Sequence, residues 1–257
     1  MSSLTIRDVT AADLPALEAW LRPGAERLPC VDGSGAWLLA EARGVPRACL
    51  RLRLAIGLDL PRPWYHVGTV VHAAPALHLF HRQNTLQLGH DHTGAAELAD
   101  PAWDPHSTLA EQAVALRALL QAALARLATQ RERAGAQLIV ELPGLRDADG
   151  RSPFWHGLGR HFYAGDPLEA ARRFGPAWRS HVAALLPRQP VYTSFLPEAA
   201  QAALAQVDPS ARVLLDLLWQ EGLRYGHHVT VDDGGPVFEA TLDTLPALVR
   251  AARGDQK

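Results

Sequence analysis

The sequence predicts a mixed α/β fold, a largely antiparallel sheet flanked by helices, and three observations predict it. Short segments from Leu4 to Gly89 alternate apolar and polar residues with the two-residue period of half-buried strands. One long Ala/Leu-rich segment at 109–131 carries its polar residues at helical spacing. A short apolar run at 137–142 follows it, as a buried strand does.

The elements follow in order. Leu4-Thr5-Ile6-Arg7-Asp8-Val9 reads as a strand, and Thr10 and Asp13 offer caps for a helix through Ala16, Leu17, Ala19, Trp20 and Leu21. After a Pro/Gly-rich stretch at Pro23-Gly24, segments 36–40 and 48–56 form an antiparallel pair across the turn residues Gly44, Val45 and Pro46. Segments 64–72 and 85–89 add two strands. Ser107-Thr108 opens the long helix over 109–131, and 137–142 is the next strand. Helices at 153–158, 167–174, 197–207 and 211–221 and strands at 227–231 and 237–240 complete the chain. This divides it into a core over 1–165 and a C-terminal α/β unit over 166–257 packed on that core.

Composition excludes several functions. With 25 Lys+Arg against 27 Asp+Glu, the charge is balanced and no basic stripe points to nucleic acid or an anionic membrane. No apolar run reaches the roughly 20 residues that cross a bilayer, and Met1-Ser2-Ser3-Leu4 lacks the pattern of a signal peptide. Two cysteines, Cys30 and Cys49, exclude a Cys-based zinc knuckle and suit a reducing compartment, so a cytoplasmic location is expected. Lys257 is the only lysine, which removes Walker A and pyridoxal Schiff-base chemistry.

Seven of the 12 histidines, His66, His72, His78, His81, His90, His92 and His106, crowd one stretch. His90 and His92 would share a strand face, yet no His-Glu-x-x-His or facial-triad spacing accompanies them, so solvated or hydrogen-bonding histidines are expected and no metal. Asp91-His92-Thr93-Gly94 with Glu97 groups an imidazole, a hydroxyl and two carboxylates. That set suits binding and deprotonation of an amine, or equally a polar loop with a capping Asp. Gly33-Ser34-Gly35 lacks the G-x-S-x-G elbow and reads as a turn, as does Asp232-Asp233-Gly234-Gly235.

Longer phrases carry a family resemblance. Val67-Gly68-Thr69-Val70-Val71-His72-Ala73, Asp91-His92-Thr93-Gly94 with Glu97-Leu98, Asp104-Pro105, and Ser152-Pro153-Phe154-Trp155 with Leu158-Gly159-Arg160 resemble, in order and spacing, the arginine N-succinyltransferase family of the GNAT acyltransferases. Leu186-Pro187, Pro190-Val191-Tyr192, Leu196-Pro197-Glu198, Gln206-Val207, Glu221-Gly222 and Asp233-Gly234-Gly235-Pro236 extend the likeness over roughly residues 50–245. The resemblance implies a GNAT-like sheet with a partial second GNAT-like unit. It implies transfer of succinyl, or another acyl group, from acyl-CoA to the amine of arginine, ornithine or a similar small molecule. Acyl-CoA would be a cosubstrate with no permanently bound cofactor, and the oligomer a homo-oligomer or a hetero-oligomer with a related subunit.

By the same likeness, His92 and Glu97 join Asp208 as catalytic residues, and Asp91, Thr93 and Tyr192 bind the amine. Pro101, on the strand that meets the thioester, and Ser107 and Thr108, at the pyrophosphate turn, contact the cosubstrate. Departures from the family pattern imply an alternative, a catalytically inactive member serving as a binding or subunit protein. His106-Ser107-Thr108-Leu109-Ala110-Glu111 holds no glycine and an acid where the family has a glycine-rich turn. Pro101 lacks a main-chain donor, and Asp208 stands where the family has a histidine base. The segment between Leu21 and Ala36 is short, and the family's C-terminal extension is expected to be absent.

Overall fold

The computed structural model describes residues 4–21 and 36–254. Pro23-Gly24, Cys30, the Gly33-Ser34-Gly35 turn and Lys257 lie outside the described residues. Strands β1 (Leu4–Asp8), β2 (Ala36–Ala42) and β3 (Val45–Arg53) form an antiparallel meander, with helix α1 (Leu14–Glu18) after β1. A long hairpin follows, β4 (Trp64–Ala74) and β5 (Leu79–Gly89), then β6 (Ala96–Trp103), helix α2 (Leu109–Thr129) and β7 (Gln137–Glu141). Helices α3 (Pro153–Gly157), α4 (Pro167–Phe174) and α5 (Trp178–Ala183) lead to the two-residue strand β8 (Val191–Tyr192). Helices α6 (Glu198–Ala203) and α7 (Arg212–Glu221), strands β9 (Arg224–Thr230) and β10 (Pro236–Thr241) and helix α8 (Pro246–Gly254) end the described chain.

One ten-stranded sheet holds all of them, in the order β1-β2-β3-β6-β7-β10-β9-β4-β5-β8. Chain order and sheet order therefore diverge: β9 and β10, past residue 165, lie between β7 and β4. Every pair is antiparallel except β6 with β7, which is parallel and bonded only at Ala96↔Leu138 and Glu97↔Ile139. Beyond that point β6 runs on to Trp103 along β3, while β7 runs on to Glu141 along β10. The sheet thus opens into a split between its two parallel strands. Asp100, at φ +50, and Pro101 oppose the single residue Leu50 in a bulge of β6. A bulge is where a strand tolerates a residue with no N–H, and Asp is among the few side chains that accept the left-handed region.

The main core lies on one face. Ala115, Leu116, Leu119, Leu120, Ala123, Leu124 and Leu127 make an apolar stripe on α2 and pack on Leu50 and Leu52, Leu138 and Val140, and on Leu214 and Leu218 of α7. A second cluster, centred on Tyr65, Phe154, Trp155 and Val229, seats α3 to α6 on the far part of the sheet. The opposite face is different: it buries Arg51, His92 and Glu97 beside Trp64, Ile139 and Val237.

Boundaries moved where a pattern misled. Strand β5 begins at Leu79, ahead of the expected Thr85, because His81 to Asn84 belong to a hairpin arm exposed on both faces and so show no alternation. The helix expected over 197–207 stops at Ala203, because Ala205 takes φ +58 and the following residues extend so that Val207 bridges Gly144. His90 and His92, expected on a strand, lie on the connection between β5 and β6, with the turn itself at 91–94.

Candidate active site

The β6–β7 junction carries a pair of glutamates on the less apolar face. Glu97 is paired with Ile139, so it points to the same side as Glu141 two residues on along β7. A charge inside an apolar strand has to find a partner once buried. Arg62, held between Pro61 and Pro63, supplies it for both, with Nη1 2.8 Å from Glu97 and Nη2 2.7 Å from Glu141. Arg53 lies 3.6 Å from Glu97 as well. Arg179 of α5 reaches Glu141 at 2.8 Å and Asp232 at 3.0 Å, and Trp64 Nε1 donates to Glu141 at 2.6 Å. Burial alone would raise the Glu141 carboxyl, but Arg179 and Arg62 outweigh it and hold it well below the usual carboxylate range.

Beside this network sits an imidazole pocket. His92 is 2% exposed, its ring edge-on to Trp64 at 5.0 Å and to His228 at 4.3 Å. Burial first, then His228, lowers its pKa to about 4, so the ring is neutral at pH 7. His228 gets its place from a bulge in β9, where His227 takes φ +58 and the pairing with β10 slips between Val237 and Phe238. Asp91 Oδ2 is 3.2 Å from His228 Nε2, and Glu239 Oε2 is 3.8 Å from His92 Nδ1. Burial raises the Glu239 carboxyl, with His228 and His227 opposing.

The open end of the split has other residues. β6 passes through Asp104 and Ser107 into α2, so the start of that helix faces the same end. Thr108 caps it in a closed box: its side chain accepts from the Glu111 N–H, and its own N–H and hydroxyl both donate to Glu111 Oε2 at 2.8 Å. Those hydrogen bonds lower the Glu111 pKa. Across the split, β7 leads to Pro143 and Gly144, where the Asp208 N–H donates to the Pro143 carbonyl at 2.8 Å. The Asp208 carboxylate accepts from the Ser210 N–H at 2.9 Å and caps the turn before α7.

The predicted residues therefore fall into three places. His92 and Glu97 lie on the buried polar face, and the exposed Asp91 reaches its rim through His228. Thr93 is beside them in the chain, but its hydroxyl donates to the His90 carbonyl at 2.8 Å. Pro101, Ser107, Thr108 and Asp208 flank the split. Tyr192 is on β8 at the sheet edge, its ring near His72 and Phe195, six strand spacings of about 4.8 Å from β6. The Asp232-Asp233 stretch is the expected turn, tied by Thr230 to Asp233 at 2.7 Å, and Asp232 also meets Arg179. Composition and spacing overlooked Arg62, Glu141, Arg179, His228 and Glu239. The available signal was a lone glutamate inside each of two apolar strands, Leu-Ile-Val-Glu-Leu and Val-Phe-Glu-Ala.

Comparison with known proteins gives one consistent match. A family model described as arginine N-succinyltransferase beta subunit matches residues 39–247. The arginine N-succinyltransferase of Salmonella schwarzengrund is 31% identical over 255 residues, spanning 96% of this chain and 71% of that protein. That of Salmonella arizonae is 32% identical over 248 residues, 91% of this chain and 70% of that protein. The solved structure of arginine/ornithine succinyltransferase subunit AI from Pseudomonas aeruginosa superposes with a TM-score of 0.79 at 25% identity, covering 97% of this chain and 80% of that one.

Proposed function

Since the chain belongs to the arginine N-succinyltransferase family, we propose that it is a GNAT-type N-acyltransferase that moves succinyl, or another acyl group, from acyl-CoA to the amine of arginine, ornithine or a similar small molecule. The observation that carries this reading is the split between β6 and β7. Two parallel strands that part after a single bonded stretch leave main-chain N–H and C=O groups free along their inner edges. Such an edge can hydrogen-bond an extended amide-bearing arm and place a thioester carbonyl between the strands. Acyl transfer then needs a base that takes a proton from the ammonium so that the free amine can attack, N–H donors for the oxygen of the tetrahedral intermediate, and departure of CoA as its thiol when the C–S bond breaks. Asp208 lies beside the end of β7, its N–H bonded to the Pro143 carbonyl, and is our candidate for the ammonium proton. Glu97 is held by Arg62 and Arg53, so it orders the junction and the amine must be met elsewhere on the polar face, near Asp91 and His92.

Glu111 favours the second reading, an inactive binding or subunit protein. Its carboxylate already occupies the N-terminus of α2, where donor phosphates would otherwise meet free N–H groups and the positive end of the helix. An oligomer containing a second copy or a related subunit fits either reading. The hairpin tip offers exposed Leu77, Leu79 and Phe80, and Phe195 is exposed near the same edge.

Calorimetric titration with succinyl-CoA and acetyl-CoA separates the two. Binding together with release of free CoA in the presence of arginine or ornithine supports the transferase. No binding at millimolar donor discards it in favour of the second reading.

A further inference from the structure

We propose that His92, His228 and Glu239 form a divalent-metal site, matched in its donor set to zinc, that clips the β5–β6 turn to the β9–β10 pair. One nitrogen from each histidine and one oxygen of the glutamate lie within 4.8 Å of one another. Tetrahedral zinc brings such atoms to about 3.3 Å apart, so side-chain rotation closes the set without moving a strand. Two imidazoles and a carboxylate are a borderline nitrogen and oxygen donor set, the kind that zinc takes in preference to calcium or magnesium.

The independent observation is His92 itself. It is 2% exposed, and neither ring nitrogen has a hydrogen-bond partner among the described residues. Buried polar atoms are almost always satisfied, and a ring this deep calls for a partner that the described side chains and backbone do not supply. His228 is prepared in the complementary way. Its Nδ1 lies 2.8 Å from the Gly226 carbonyl, and as a donor there it leaves the lone pair on Nε2, the outer-shell arrangement that orients metal-bound histidines. That lone pair then faces Asp91 Oδ2 at 3.2 Å, two acceptors at hydrogen-bonding distance. A doubly protonated His228 would satisfy this contact and leave His92 bare, whereas a cation serves both. Asp91 is placed to complete the shell directly or through a water. Glycine at 226 makes room for the third ligand, because a Cβ there would stand 2.4 Å from Glu239 Oε2.

The site adjoins the part of the polar face assigned above to the amine, and metal binding tests it without an activity assay, so its failure leaves the transferase reading untouched. The full chain, stripped with a chelator, is titrated with Zn2+ in competition with a chromophoric chelator, and with Co2+ followed by its visible d–d bands. One ion per chain is expected, with tetrahedral cobalt bands and a zinc-dependent rise in Tm. Glu239→Gln, isosteric and at a partly exposed position, should weaken zinc at least tenfold and abolish the Tm rise while circular dichroism stays unchanged. His228→Gln should do the same, which keeps the test open if a His92 variant fails to fold. No uptake by the stripped protein overturns the proposal. So does stoichiometric uptake that both variants leave unchanged, since that ion would sit elsewhere, for instance on the hairpin histidines His72, His78 and His81.

Discussion

Arg62 stands 2.7 Å from Glu141, and the same guanidinium reaches Glu97 at 2.8 Å, so one cation ties the two parallel strands together where they begin to part. Removing one member of a buried ion pair leaves a stranded charge, which costs more than the pair contributed. Arg62→Ala is expected to lower stability by about 3–5 kcal/mol in urea unfolding. Adding Glu97→Gln to that variant should restore part of it. Full stability of Arg62→Ala would mean that the network is dispensable.

His92 makes stability pH-dependent with a definite sign. Its pKa is lowered in the folded protein to about 4 from 6.5, so between those values the unfolded chain binds more protons. The contribution is complete above pH 6.5 and is lost as pH falls toward 4. A shift of that size corresponds to a loss of about 3 kcal/mol. Unfolding midpoints from pH 7.5 down to pH 4.5 should fall more steeply in the parent than in His92→Gln. Parallel slopes would refute the assignment.

Glu111 and a donor phosphate compete for the same helix terminus. Glu111→Gln removes a charge from that terminus and should tighten acyl-CoA binding about two- to fivefold, as expected for one charge at a helix end. Weaker binding in this variant would show that the Glu111 cap supports the donor and does not displace it.

Asp208 can be tested apart from its capping role, because Asn caps as well as Asp and cannot take a proton. Asp208→Asn should leave the Tm in place and reduce kcat at least about 100-fold. Unchanged turnover would exclude it as the base.

Gly144 is where backbone meets backbone. A Cβ there would lie 2.2 Å from the Asp233 carbonyl oxygen, so Gly144→Ala should cost about 2 kcal/mol or more and disturb the bridge to Val207 next to Asp208. A neutral Tm change would contradict this.

Local pattern made the strands and the long helix legible, because alternation and the apolar stripe of α2 are written in adjacent residues. Sheet order was not, since nothing near Trp64 announces that it will pair with Thr230. The polar face shows the same limit: Asp91, His92 and Glu97 are neighbours in the chain, whereas Arg62, Glu141, Arg179, His228 and Glu239 meet them only through tertiary pairing. Glu97 illustrates how far a motif goes, since its phrase marked it as functional but its arginine partners determine what it does. Tyr192 shows the reverse, a residue in a recognisable phrase that the sheet carries to its far edge.

The central position of β9 and β10 has a consequence for how the protein is made. On a ribosome, eight strands emerge before the two that join them, leaving β7 and β4 each with an unpaired edge during synthesis. Nucleation must therefore begin within the local hairpins, and closure waits for contacts of very long sequence separation, a high-contact-order step expected to be slow. Over that interval the nascent chain exposes template-like edges, so its yield should depend on elongation speed and chaperone supply more than its equilibrium stability would suggest.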